Sequence, residues 1–188
     1  MNQELKNVAR ALAVFALMDA ASAWAIDSRF DPAQTPRGGF KAVDNAAYAK
    51  ECGSCHFTYL PGMLPARSWK AVMASKDHFG ESLSLDAGTR DEIERYLVAN
   101  AADKTDYRGS EIMLYSLDDS STPTRITHLP LFRQRHVVVR KLMGAPGSKV
   151  KGFANCDACH ENASTGSFAY DHIVVPGVTK VIKPGSVF

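Results

Sequence analysis

Apolar residues recur at helical spacing in several stretches of the 188-residue chain. The clearest is 89–101, where Ile93, Leu97 and Val98 mark one apolar face and Thr89 is a candidate N-cap. Acidic residues follow in the first turn, where they suit the helix dipole. This pattern predicts an amphipathic helix that closes the first half of the chain.

Three further helices are predicted. A short one covers Val43–Glu51, and a second begins at Pro65 and carries Trp69 toward His78 at its far end. The main helix of the second half covers Pro130–Met143 and ends at a glycine- and proline-rich turn. The expected fold class is therefore mainly α.

The remaining stretches lack a clear period. Residues 26–42 are rich in proline and glycine and are expected to form an irregular arm. The segment Glu111–Leu117 is of uncertain type, with a strand as the candidate. The stretches 174–176 and 178–182 look extended.

The first 25 residues have the layout of a secretory signal. Lys6 and Arg10 precede a short apolar stretch and then a run of small residues, with cleavage expected after Ala23 or Ala25. The apolar stretch is shorter than the roughly 20 residues that span a bilayer. An uncleaved amphipathic anchor helix is the alternative, but we expect a soluble periplasmic protein.

Composition and charge add little to this picture. The chain is 45% hydrophobic and 22% charged, which is ordinary for a globular protein. The formal net charge is +2, and removal of residues 1–25 leaves it unchanged, because that segment holds two acids and two bases. The charge gives no reason to expect a nucleic-acid partner.

The chemistry is concentrated in the cysteines. All four occur in two Cys-x-x-Cys-His motifs, Cys52-Gly-Ser-Cys55-His56 and Cys156-Asp-Ala-Cys159-His160. In this signature each thiol adds to one haem vinyl group, and the adjacent histidine can bind the iron axially. Redox disulfides or a zinc site are the alternatives, but neither explains a histidine directly after both second cysteines. The sequence therefore predicts two haem c groups.

Four other histidines are candidates for the distal positions. His78 follows His56 by 22 residues and is the expected distal ligand of the first haem, with a methionine as the rival. Met63 is too close to the attachment site, and Met73 is better explained as helix core.

For the second haem, His136 lies 20 residues before Cys156, and His172 lies 12 residues after His160. We favour His136, because a helix holds an imidazole rigidly, but His172 stays open. His128 is expected to be an ordinary loop histidine. Two irons that each carry two histidines would have no free position for a substrate, and their potentials would be lower than with methionine ligation.

The chain resembles the small dihaem cytochrome c family known as DHC. The likeness covers most of residues 50–176 and includes the segments between the haem motifs. The resembling stretches are Glu51–Trp69, Asp77–Glu81 with Ser84-Leu85, Arg125–Thr127, Arg135-His136 and Phe153–His160. One departure is His128, where a non-ligand polar residue is expected.

This resemblance implies a class I cytochrome c-like domain over 43–104 and a less regular second haem domain over 105–188. It implies bis-histidine haems and supports His78 and His136 as distal ligands. It also implies electron transfer to a small oxygen-binding monohaem cytochrome c called SHP, with a membrane-bound b-type cytochrome as the donor.

Three functions are compatible with these features. We favour an electron carrier, which would not be an enzyme. The alternatives are a dihaem oxidoreductase and a subunit of a membrane respiratory complex. A peroxidase-like or thiosulfate-oxidising enzyme would need one open iron. Basic residues before the second haem motif would steer an acidic partner, or would simply form a solvated helix face. These residues are Arg133, Arg135, Arg140, Lys141, Lys149 and Lys151.

Overall fold

The computed structural model describes residues 39–143, 152–169 and 172–177. All of them belong to one compact unit, and none belongs to the separate unit Met1–Thr35. The predicted signal, the arm up to residue 38 and the stretch 178–182 therefore lie outside the described residues. Within the described ranges, no helix is long and apolar enough to cross a membrane.

The described part of the chain is mainly helical, as predicted, with one small antiparallel hairpin. Five short 3₁₀ segments connect the longer elements: Pro61–Met63, Ala102–Lys104, Ile126–His128, Cys156–Ala158 and Ala163–Thr165. In chain order, the helices and strands are α1 (Ala46–Gly53), α2 (Ala66–Ala74), β1 (Asp77–His78), β2 (Glu81–Ser82), α3 (Ala87–Ala99), α4 (Arg108–Tyr115), α5 (Pro130–Arg135) and α6 (Val137–Met143).

The core forms where α2 packs against α3. Trp69 of α2 and Leu97 of α3 are almost fully buried, and the Trp69 indole donates a 2.7 Å hydrogen bond to the Pro61 carbonyl. Ile126 and Leu129 from the second half of the chain join the same cluster. Because this cluster contains residues of both predicted domains, 43–104 and 105–188, the boundary between them stays a prediction.

The N-terminus of α3 differs from the prediction. The helix begins at Ala87, and the Asp86 carboxylate accepts a 2.9 Å hydrogen bond from the Thr89 amide. Thr89 is therefore the residue that is capped, and its assignment as N-cap was wrong. Aspartate in an extended conformation is among the best N-caps, because its side chain reaches a free amide of the first turn.

The candidate strand over Glu111–Leu117 is also wrong, because Arg108–Tyr115 forms α4. Ser110 and Met113, three residues apart, are buried, while Glu111 is exposed. A spacing of three residues is helical, but one such pair in an eight-residue segment is too little to indicate a helix from the sequence.

The predicted helix over Pro130–Met143 is interrupted at His136. This residue has φ −106° and ψ 11° and ends α5 before α6 begins at Val137. The Phe132 carbonyl lies 3.0 Å from the His136 amide nitrogen and 2.8 Å from Nδ1 of the His136 ring. The ring thus shares the acceptor of the last turn, and His136 stands at a helix break rather than inside a helix.

Three glycines hold the N-terminal arm against the rest of the unit. The Gly109 amide, in the first turn of α4, donates a 2.8 Å hydrogen bond to the Gly39 carbonyl. The Phe40 amide donates a 2.9 Å bond to the Gly166 carbonyl, and Gly166 has a positive φ of 92°. A Cβ on Gly109 would collide with the Gly39 backbone and the Phe40 ring.

Gly109→Ala is therefore expected to lower the free energy of unfolding of the haem-loaded protein by about 1–3 kcal/mol, the usual cost of overpacking. Chemical denaturation followed by circular dichroism measures this change. Gly88→Ala is the matched control, since Gly88 lies in the first turn of α3 and its Cβ would meet only the Asp86 carboxylate, at 3.3 Å. Equal destabilisation by both substitutions would contradict the close backbone contact at Gly109.

Candidate haem sites

The first site is formed by His56, three residues after the end of α1, and His78 on β1. Their ring centres are 6.2 Å apart and the ring planes are inclined by 26°. Two metal–nitrogen bonds of about 2 Å each, plus the distance from each ring centre to its nitrogen, give about this separation. The pair is spaced as two axial ligands of one iron require.

Neighbouring groups orient the first pair. Nδ1 of His56 lies 2.7 Å from the Phe57 carbonyl, so it carries the proton and leaves Nε2 free for a metal. The Tyr59 ring lies against the His56 ring, with 4.7 Å between centres. His78 stands on a hairpin and not at the end of the preceding helix, because α2 ends at Ala74.

The second site pairs His136 with His160, whose ring centres are 6.1 Å apart and whose planes are inclined by 66°. The Phe132 ring stacks on His136 at 3.9 Å, and Phe168 lies 4.9 Å from the His160 ring. The hydrogen-bond geometry at His136 again assigns the proton to Nδ1. Nδ1 of His160 is buried without a hydrogen-bond partner among the described residues.

Burial favours the neutral, metal-binding form of three of these imidazoles. The pKa of His160 is lowered to about 4, first by burial and then by the neighbouring His136. Burial also lowers the pKa of His136. The pKa of His78 is lowered by burial, then by His56 and then by Arg125. A neutral imidazole offers the lone pair that a metal needs.

None of the four cysteines forms a disulfide bond. Burial, with a smaller effect of Glu51, raises the pKa of Cys52 to about 11, and burial with a smaller effect of Asp157 raises that of Cys156 to about 12. Redox-active Cys-x-x-Cys pairs have lowered pKa values. The raised pKa values of Cys52 and Cys156 are the opposite of what the redox-disulfide alternative requires.

The two sites adjoin. The amide of Phe57, next to His56, donates a 3.0 Å hydrogen bond to the carbonyl of Ala154, two residues before Cys156. Burial raises the pKa of Tyr59, which contacts His56, to about 12, and the Cys156 thiol adds a smaller contribution. The two Cys-x-x-Cys-His motifs are thus joined by a main-chain hydrogen bond.

The other candidate ligands occupy different places. Met63 and Met73 are buried in the core. His128 is exposed on a 3₁₀ segment, and His172 is exposed while its carbonyl accepts a hydrogen bond from the Glu161 amide. The ring that faces His160 across a ligand-sized gap is that of His136.

Sequence reasoning missed the aromatic residues and the cation that surround these histidines. Tyr59, Phe79, Phe132 and Phe168 contact ligand-candidate rings, and Arg125 lies over the Phe79 ring. The only signal in the sequence was the position of two of them relative to a histidine. Phe79 directly follows His78, and Tyr59 lies three residues after His56.

Comparison with known proteins decides the family. A family model described as dihaem cytochrome c, DHC, matches residues 48–168, which is more than half of the chain. The chain belongs to the dihaem cytochrome c family. The resemblance noted from the sequence is thereby confirmed, and so are the two haem c groups that the family carries. No curated protein matches the chain.

Solved structures of the family are similar to the chain over almost their whole length. A diheme cytochrome c from Rhodobacter sphaeroides is 41% identical, with a TM-score of 0.59 over 68% of this chain and 99% of that one. The diheme cytochrome c of Shewanella baltica OS155 is 34% identical, with a TM-score of 0.56 over 71% of this chain and 94% of that one. Membership supports an electron-transfer cytochrome with a mainly helical fold.

The different ring angles predict two distinguishable EPR signals from the oxidised holoprotein. Nearly parallel imidazoles, as at His56 and His78, give a rhombic low-spin spectrum, whereas steeply inclined rings, as at His136 and His160, give a broad, strongly anisotropic one. His78→Met should abolish the rhombic signal only. Two identical signals, or loss of the anisotropic signal in His78→Met, would contradict the geometry.

Proposed function

We propose that this protein is a periplasmic electron carrier in which each of two haem irons is closed by two histidines. The observation that carries the proposal is the pairing of His56 with His78 and of His136 with His160, at ring separations of 6.2 and 6.1 Å. Haem iron supplies one-electron chemistry by cycling between its ferric and ferrous states. With both axial positions held by the chain, an iron accepts and releases electrons without binding a substrate.

The cysteines and their surroundings have a supporting role. Thioether bonds from Cys52, Cys55, Cys156 and Cys159 would fix each haem in a defined orientation against its proximal histidine. The rings of Tyr59, Phe132 and Phe168 pack against these histidines and would limit the access of water to the irons, which would keep the reorganisation that accompanies each electron transfer small. The hydrogen bond between Phe57 and Ala154 keeps the two motifs adjacent, so that electrons would pass from haem to haem within one chain.

The proposal includes a class I-like first haem domain over 43–104, a less regular second domain over 105–188 and cleavage of the leader after Ala23 or Ala25. The layout of residues 1–25 and the attachment of c-type haem outside the bacterial cytoplasm both support the periplasm. The enzyme alternative needs an open iron, which the facing histidine pairs oppose.

The proposed partners are an SHP-like oxygen-binding monohaem cytochrome c as acceptor and a membrane b-type cytochrome as donor. The structure offers a surface suited to an acidic acceptor next to the second site. Arg133 and Arg140 are exposed on either side of His136, beside the exposed Val137 and Val138. The segment 130–143 contains no acidic residue. Apolar side chains surrounded by cations suit a transient, electrostatically steered contact.

Carbon monoxide tests the closure of the irons. The reduced protein is expected not to bind it, whereas His78→Ala and His136→Ala should each open one iron and produce the spectrum of a haem–carbon monoxide complex. His128→Ala and His172→Ala are the controls and should stay silent. Carbon monoxide binding in His172→Ala would show that His172, not His136, closes the second iron.

Stopped-flow mixing tests the partner surface. The double substitution Arg133→Glu, Arg140→Glu should slow electron transfer to an SHP-like cytochrome about tenfold at low ionic strength, because steering is lost. The difference should shrink as salt is added. Lys70→Glu is the control, because it also reverses a positive charge but lies on α2, outside the segment 130–143. An equal effect of this control would place the contact elsewhere.

A further inference from the structure

The hairpin that carries His78 has an unusual tip. Phe79 and Gly80 connect β1 to β2 and have φ values of 60° and 102°. A two-residue turn with both φ values positive favours asparagine followed by glycine. A bulky residue in this region is strained and persists only where its surroundings compensate. Although the Phe79 ring is 45% exposed, we therefore expect it to make a contact that compensates for the strained backbone.

That contact is with Arg125. Its guanidinium carbon lies 3.7 Å from the centre of the Phe79 ring. At this distance the ring face attracts the cation electrostatically. The backbone of Arg125 is fixed by the buried Ile126 that follows it and by a 3.0 Å hydrogen bond from the His128 amide to the Arg125 carbonyl. Contacts therefore fix both the backbone and the guanidinium of Arg125.

Arg125 lies near the distal side of the first site. Its guanidinium stacks on the Phe79 ring, and the centre of that ring is 4.9 Å from the centre of the His78 ring. The cation is therefore one aromatic ring away from the candidate distal ligand.

The Arg125 guanidinium has no carboxylate within ion-pair distance among the residues that the structure describes. Its five N–H donors are arranged to bind a carboxylate with two parallel hydrogen bonds. The anionic groups at the rim of a haem are its two propionates, which are carboxylates. The position, charge and donor geometry of Arg125 suit one of them.

We propose that Arg125 binds a propionate of the first haem and, stacked on Phe79, raises that haem's reduction potential while holding the hairpin of His78 in place. A positive charge at the haem rim stabilises the ferrous state, which carries one electron more. This inference rests on the assignment of His56 and His78 to the first iron.

The test is an EPR-monitored redox titration of the holoprotein, in which the rhombic signal reports the first haem. Arg125→Gln should shift the midpoint of that signal to a more negative potential and leave the anisotropic signal unchanged. The shift should fade in acid, where the propionate is protonated, and the pH dependence of the potential should move to higher pH. Arg125→Lys, which keeps the charge, should retain most of the wild-type potential.

Phe79→Asn provides an independent variant, because asparagine suits the turn and removes only the ring. It should shift the same midpoint in the same direction, by less than Arg125→Gln. Arg108→Gln, which removes a charge that pairs with Glu111 on α4, is the control for net charge.

Equal shifts of both haems, or a shift no larger than in Arg108→Gln, would overturn the role of Arg125 and leave the histidine ligation intact. Absence of a rhombic low-spin signal in the wild type would instead overturn the ligation itself. If Arg125→Gln does not incorporate haem, the midpoints of Arg125→Lys and Phe79→Asn decide, and wild-type values in Phe79→Asn would refute the stacking role.

Discussion

The spacing of each histidine pair is the constraint on which the rest of the structure depends. The ring centres are 6.2 and 6.1 Å apart, and burial lowers the pKa values of His78, His136 and His160. In the proposed function one iron lies between the rings of each pair. Binding of the iron would then offset the cost of burying these imidazoles, so ligation and folding would stabilise each other.

The fold is arranged to keep these pairs at their spacing. The hairpin with His78 follows the C-terminal end of α2, and α2 is held in place by its packing against α3. The break between α5 and α6 presents His136 at a helix end, with its ring fixed by Phe132. The Gly39, Gly109 and Gly166 contacts and the bond between Phe57 and Ala154 tie both halves together. Short elements suffice, because covalently attached haem groups take the place of a larger apolar core.

The sequence was enough to predict the cofactors, the mainly helical fold and the histidines that the structure brings together. Fixed local motifs carry that information: Cys-x-x-Cys-His spacing for the haems and apolar periodicity for α3. The remaining features depend on tertiary contacts. The Thr89 cap was wrong because the helix begins earlier, at Ala87, where Asp86 caps it through the Thr89 amide. The strand over Glu111–Leu117 was wrong because the segment is short. The break at His136 depends on a side chain that shares a backbone acceptor. The contact of Arg125 with Phe79 joins residues that are 46 positions apart and has no local signature.

The central claim is that both irons are closed by two histidines. Near-infrared magnetic circular dichroism of the oxidised holoprotein tests it most directly, because the ligand-to-metal charge-transfer band reports the axial ligands of ferric haem. The account predicts intensity only in the region of bis-histidine ligation, equivalent to two haems per chain. A band from histidine–methionine ligation or from high-spin haem would contradict it.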